Sequence, residues 1–232
     1  IDNIDRFGTR WFQNHYSHGW AHAMNAPFQW DKKIASHLGG SRTGMAIAWP
    51  GHIDEPGGIR SQFTHVTDIV PTVLEAATLP APETINGFEQ VPMAGTSLLY
   101  SLNDASAPER HTTQYFEIIG NQGIYHEGWI ASTTPMRMPW EGRGESHDDP
   151  FNEYSWELYN LDEDYSQTKN LAAEHPEKLE ELRQRFLEEA ARNQVLPLDD
   201  RYVERADPKN RPDINAGRTR FDYFEGVTRI TE

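Results

Sequence analysis

Cysteine is missing from all 232 residues, which excludes disulfides, thiolate metal sites and a cysteine nucleophile within the chain. No apolar run approaches the roughly 20 residues needed to span a bilayer. The first residues also lack the basic and apolar regions of a secretory leader; for an internal segment that absence says nothing about export, and the compartment stays open. Positive charge is scarce, with 21 Lys and Arg against 36 Asp and Glu and a net charge of -15. The deficit holds throughout: 7 basic against 11 acidic residues over 1–110, and 14 against 25 over 111–232. Such a surface repels polyphosphates, so nucleic acid is not an expected partner. A small anionic substrate needs a locally positive site, and Lys32 and Lys33 are the only adjacent lysines in the chain.

The chain is long enough for one large or two small domains. A mean hydropathy of -0.75, with 17 Gly and 15 Pro, predicts order up to about residue 195 and a looser tail beyond it. Residues 1–26 are aromatic and Gly-containing without a clean period and read as an ordered loop over a cleft. His18 and His22 would share a face of a helix, with His15 close by. Gly19 and the missing further ligand favour packing or cleft lining, and no metal site is assigned.

The organising stretch is Pro27–Pro50, PFQWDKKIASHLGGSRTGMAIAWP. Cationic and aromatic residues lead into a helix-compatible run, Gly39-Gly40 breaks it where backbone freedom is needed, and Gly44–Pro50 reads as a short strand buried on both faces. Arg42 is expected to cap or pair locally. A helix is predicted from near Thr67, capped by Thr67 with Asp68 in its first turn. Its Ile69, Val70, Val73, Leu74 and Ala77 form an apolar stripe for packing on a sheet; a cap is preferred to a metal ligand for Asp68.

Residues 80–110 read as a connector. Thr113–Ile118 and Gln122–Ser132 form a hairpin signal about Gly120-Asn121, with Tyr115 and Trp129 as core anchors and His126 as a cross-strand partner. Trp156–Leu161 reads as another antiparallel strand. Asp162 and Asp164 belong to a solvated turn rather than a calcium loop. Pro176 opens a helix whose Leu179, Leu182, Phe186 and Ala190 share one face, with Glu181/Arg185 and Glu188/Arg192 paired outside. The predicted class is α/β with a small antiparallel sheet covered by a helix.

Four pieces in this order resemble one family: Lys33 six residues before Gly39-Gly40 with Trp49-Pro50-Gly51 beyond; Thr67–Ala77; Gln114–Glu117 with Gly123–Trp129; and Glu157–Asp162 leading to Asn170–Ala172. The pattern is similar to the formylglycine-dependent sulfatases, in particular their bacterial arylsulfatase branch, over about residues 18–230. The resemblance implies that residues 1–100 end an alkaline-phosphatase-like sandwich, 101–196 form a C-terminal antiparallel subdomain, and 197–232 lead toward a further region. It implies a sulfuric ester hydrolase acting on a small-molecule sulfate ester, with formylglycine and calcium in the complete enzyme and both of their sites outside this chain. Lys33 matches the sulfate-binding lysine, as catalytic and substrate-binding residue, and His37 matches a position near the substrate, although Leu38 stands where Glu is common.

A lysine ammonium is a compact point charge suited to non-bridging sulfate oxygens and to the charge that develops on S–O cleavage. A surface lysine pair on a helix end and a packing histidine are the ordinary alternatives. Ser106–Arg110 has part of the outline of the serine form of the formylglycine signature, but Glu109 and its place after Lys33 argue for a turn. A phosphatase or phosphonate hydrolase of the same superfamily, or a non-catalytic binding or scaffold segment, are the competing readings of function.

Overall fold

The computed structural model describes residues 3–9, 17–138, 141, 146–202, 204, 207 and 209, and the backbone of 220–224 and 227–231. Its helices are α1 (His18–Asn25), α2 (Leu38–Ser41), α3 (Ile69–Ala76), α4 (Pro150–Glu153) and α5 (Pro176–Arg192). Its strands are β1 (Thr84–Ile85), β2 (Phe88–Glu89), β3 (Thr113–Ile118), β4 (Asn121–His126), β5 (Trp129–Thr133), β6 (Trp156–Asn160), β7 (Arg220–Phe224) and β8 (Val227–Thr231). The class is α/β with helices and antiparallel sheets mixed, and the largest sheet runs β3-β4-β5-β6, every pair antiparallel.

Two tight reversals set the register of that sheet. Ile119-Gly120 joins β3 to β4 and Glu127-Gly128 joins β4 to β5, each with positive φ at both residues (52° and 80°, 47° and 80°). Paired positive φ values give a turn whose twist matches that of the flanking strands. The run expected as a single strand over 122–132 is therefore two strands, because Glu127-Gly128 reverses the chain within it. Asn86-Gly87 makes a similar reversal between β1 and β2, a small hairpin inside the stretch read as a connector.

Helix α5 lies across the four-stranded sheet. Proline at its first turn has no amide hydrogen to leave unpaired. Leu182, Phe186 and Ala190 recur at helical spacing and are fully buried with Ile124, Ala131 and Leu158 of the sheet. Tyr115 and Trp129 pack against this core as expected, and Thr113 Oγ1 meets His126 Nδ1 across the strands at 2.8 Å. On the outer face Arg185 pairs with Glu181 at 3.2 Å, whereas Arg192 pairs with Glu189 at 2.7 Å, not with Glu188.

The first hundred residues behave differently. Residues 43–49 form no strand and are mostly exposed, Met45 and Ile47 included; a strand needs a hydrogen-bonding neighbour, and none lies beside this run among the described residues. The stripe on α3 is also open to solvent, with Val70 54% and Val73 60% exposed. The N-cap of the preceding 3-10 turn, Val66–Asp68, is His65 rather than Thr67, its ring accepting from the Thr67 amide. Asp68 is fully buried: Oδ2 accepts from the His65 amide at 2.7 Å, and Oδ1 from the Thr96 amide and His111 Nδ1, each at 2.7 Å. It is a hub joining three segments. Burial and then the neighbouring His111 push the His65 imidazole below its ordinary pKa, against the opposing pull of Asp68. The expected looser tail includes the hairpin of β7 and β8.

Candidate functional site

Lys33 sits in a loop that the two glycines of α2 hold in place. A side chain at Gly39 would fall 1.9 Å from the Gln29 carbonyl oxygen, and one at Gly40 would fall 1.9 Å from that of Ile34. The pair is thus required for close backbone approach. Asn25 clamps the same loop, donating through Nδ2 to the carbonyls of Trp30 (2.7 Å) and Gly39 (2.6 Å). Ile34 is buried beneath it, and the Asn121 amide of β4 reaches the Lys33 carbonyl at 3.4 Å.

Within this frame Trp30 and Lys33 adopt positive φ of 65° and 81°. Each such residue costs on the order of 1–2 kcal/mol in backbone strain, which the surrounding contacts offset. Lys33 is half-buried while Lys32 is exposed, so of the two lysines the one matched by motif is the one the fold constrains. Lys33 Nζ donates to the Tyr202 hydroxyl at 3.3 Å and lies 5.1 Å from the centre of that ring.

His37 has a different setting. It is completely buried, and its two ring nitrogens meet Ser36 Oγ and Glu157 Oε2, each at 2.9 Å. The ring offers nothing to a diffusing substrate in this arrangement; it ties the Lys33 loop to β6. Glu157 also accepts from Tyr159 at 2.7 Å and from Thr134. Burial raises the Glu157 pKa, but the hydrogen bonds from His37, Thr134 and Tyr159 outweigh it, and the carboxyl titrates below its usual range. Burial, and then its bond to Glu157, push the Tyr159 phenol up, so it remains a donor. A second tie comes from Gln167, fully buried, whose Oε1 accepts the Leu38 amide at 2.8 Å.

His18 turns toward Asp31, Nδ1 to Oδ2 at 2.9 Å, and stacks with His22 at 6.3 Å between ring centres. His15 lies outside the described residues. Among those described, no group of three or more His, Asp or Glu side chains could hold a metal ion. Arg42 does not pair locally as expected: it donates to the Tyr165 hydroxyl at 3.0 Å, 123 positions along the chain, and lies over Phe28. Ser106 is exposed in a turn, its hydroxyl on Asp104 at 2.7 Å, and Glu109 accepts from the Tyr125 hydroxyl at 2.7 Å; neither is placed as a nucleophile.

Sequence reasoning missed Glu157, Gln167 and Tyr202. Glu157 carried one faint signal, a carboxylate between the apolar Trp156 and Leu158 of a strand; the other two lie in polar stretches with no local pattern.

No family model matches the chain. It is 30% identical over 190 residues to an uncharacterized sulfatase of Schizosaccharomyces pombe, covering 81% of this chain and 32% of that protein. Among solved structures it is similar to Ps i-CgsB (18% identity, 68% of this chain and 31% of that one, TM-score 0.43). It is also similar to BT4656 in complex with its substrate D-glucosamine-2-N,6-O-disulfate (19% identity, 56% and 24%, TM-score 0.36). The chain spans about a third of the length of this curated relative. Sequence identity to a curated sulfatase over most of the chain, joined to the ordered motifs around Lys33, Thr67, Tyr115 and Leu158, supports a sulfatase family for it, as a part-length match.

Proposed function

We propose that the complete protein is a sulfuric ester hydrolase of the arylsulfatase type, cleaving a small-molecule sulfate ester to an alcohol or phenol and sulfate, and that Lys33 binds the sulfate group. The observation that carries this reading is the fixed position of Lys33, a half-buried ammonium on a strained loop held by Gly39, Gly40 and Asn25. An ammonium held before substrate arrives stabilises charge on the ester oxygens without reorganising in the transition state. His37 and Glu157 act through the loop, as positioning residues.

Formylglycine and calcium, which the family resemblance implies, do not fit the residues present. There is no cysteine, Ser106 is engaged in an exposed turn, and no cluster among the described residues suits a divalent ion. We assign both to other parts of the complete protein and derive no step through them. In keeping with this, residues 1–100 belong to the main catalytic domain, 101–196 to a C-terminal subdomain, and 197–232 lead on to a further region. Among the described residues no helix is long and apolar enough to cross a membrane.

The test is turnover by the complete protein of an aryl sulfate beside the matching aryl phosphate. Preference for the sulfate, lost in Lys33→Ala, supports the proposal; preference for the phosphate favours a phosphatase or phosphonate hydrolase, and turnover of neither favours a binding segment.

A further inference from the structure

The segment that follows α5 reaches back to the Lys33 loop. Asp200 is fully buried, and its carboxylate accepts from the His147 amide at 3.1 Å, from His147 Nδ1 at 2.7 Å and from the Tyr154 hydroxyl at 3.0 Å. Arg137 donates to the Asp200 carbonyl at 2.6 Å and lies 3.6 Å from its carboxylate. Burial, followed by the Asp200 charge, pushes the Tyr154 phenol up, so it stays a donor. The turn between β3 and β4 closes over this point: a side chain at Gly120 would come within 2.6 Å of Asp200 Cβ. Asp200 thus fastens the segment to the sheet at one place.

Two residues later comes Tyr202, whose oxygen accepts a hydrogen bond from Lys33 Nζ at 3.3 Å. A phenol oxygen that accepts from an ammonium keeps its own O–H proton to donate elsewhere. Among the described residues no acceptor receives that proton. The ammonium carries three N–H bonds in all. Two donors this close can serve two oxygens of one tetrahedral anion, and the positive neighbour strengthens the phenol as a donor.

We propose that Tyr202 is a second sulfate-binding residue, donating its O–H to an ester oxygen beside Lys33, and that the buried Asp200 anchor sets its position. This rests on the reading of Lys33 as the sulfate ligand, and assigns the segment beyond α5 a part in the site.

The experiment uses the complete protein, an aryl sulfate as substrate and inorganic sulfate as competing ligand, with Lys33→Ala, Tyr202→Phe and the double variant. Tyr202→Phe removes one oxygen and keeps the ring, so Tm should be unchanged while KM and the sulfate inhibition constant rise about tenfold, the scale of one hydrogen bond to a charged partner. Because the two groups act on one anion, the double variant should lose less than the product of the single losses. If Lys33→Ala impairs turnover and Tyr202→Phe leaves both constants at wild-type values, the Tyr202 proposal is overturned and the Lys33 reading stands. A loss in Tyr202→Phe matched by a fall in Tm also overturns it, by making the hydroxyl structural. Unchanged kinetics in Lys33→Ala overturn both.

Discussion

The helices α5 and α3 both carry apolar stripes at helical spacing, yet the two stripes have opposite fates. Leu182, Phe186 and Ala190 are sealed against Ile124 and Leu158, whereas Ile69, Val70 and Val73 face solvent. The difference lies in sequence distance to a partner. The strands that cover α5 lie within about 65 residues of it, paired by short turns, so the local sequence contains both halves of the core. Nothing described in this chain lies over the exposed face of α3, and its order comes from polar fastening: the buried Asp68 joins the His65 amide, the Thr96 amide and His111. An apolar stripe states what a helix can bury, not that its partner is at hand.

The comparison can be broken most severely in the α5 core. Phe186→Ala should cost about 3–5 kcal/mol, because a fully buried ring against Tyr115, Phe151 and Trp156 leaves a cavity those rings cannot fill. Urea unfolding followed by tryptophan fluorescence measures it, and a loss under 1 kcal/mol would mean that α5 is not the cover described.

Glu157→Gln should cost less, about 1–3 kcal/mol at neutral pH, by turning an amide toward donors that need an acceptor. The same variant has a pH signature. The folded-state pKa of Glu157 is depressed, so its contribution is present above the unfolded carboxyl value and is lost as pH falls through the folded one. Wild type should therefore lose more stability than Glu157→Gln across that acid window, and parallel acid profiles would remove Glu157 as the source.

The smallest effect is expected on α3. Val73→Asp should change the stability of this 232-residue chain by no more than about 0.5 kcal/mol, as for other exposed positions. The same substitution in the complete protein measures whether that face is covered there: a cost several times larger indicates that it is, and an equally small one that it stays exposed.

How much could be read from residues alone follows the same division. The α5 helix, its apolar face and the strands about Gly120 were legible because proline, glycine and periodicity act over a few residues. The reversal at Glu127-Gly128 was not, since Glu-Gly is a weaker turn signal than Asn-Gly or Asp-Gly and apolar residues resume directly after it; the positive φ values reveal the turn. The strand expected at Gly44–Pro50 was read from apolar content, which does not supply a neighbour.

At the site, the constraint on Lys33 was legible in the spacing to Gly39-Gly40, and the close backbone contacts at those glycines give the spacing its physical cause. The burial of His37 against Glu157 and the approach of Tyr202 were not legible, because they join residues 120 and 169 positions apart. No local pattern encodes a contact of that range.

The central claim is that the glycine-clamped loop presents Lys33 to a sulfate ester. Its most direct measurement is kcat/KM of the complete protein for an aryl sulfate, with Lys33→Ala beside wild type and metal content determined in both. The account predicts a fall of at least about tenfold, or ~1.4 kcal/mol of transition-state binding, with metal content preserved. Equal kcat/KM values in the two proteins would contradict it.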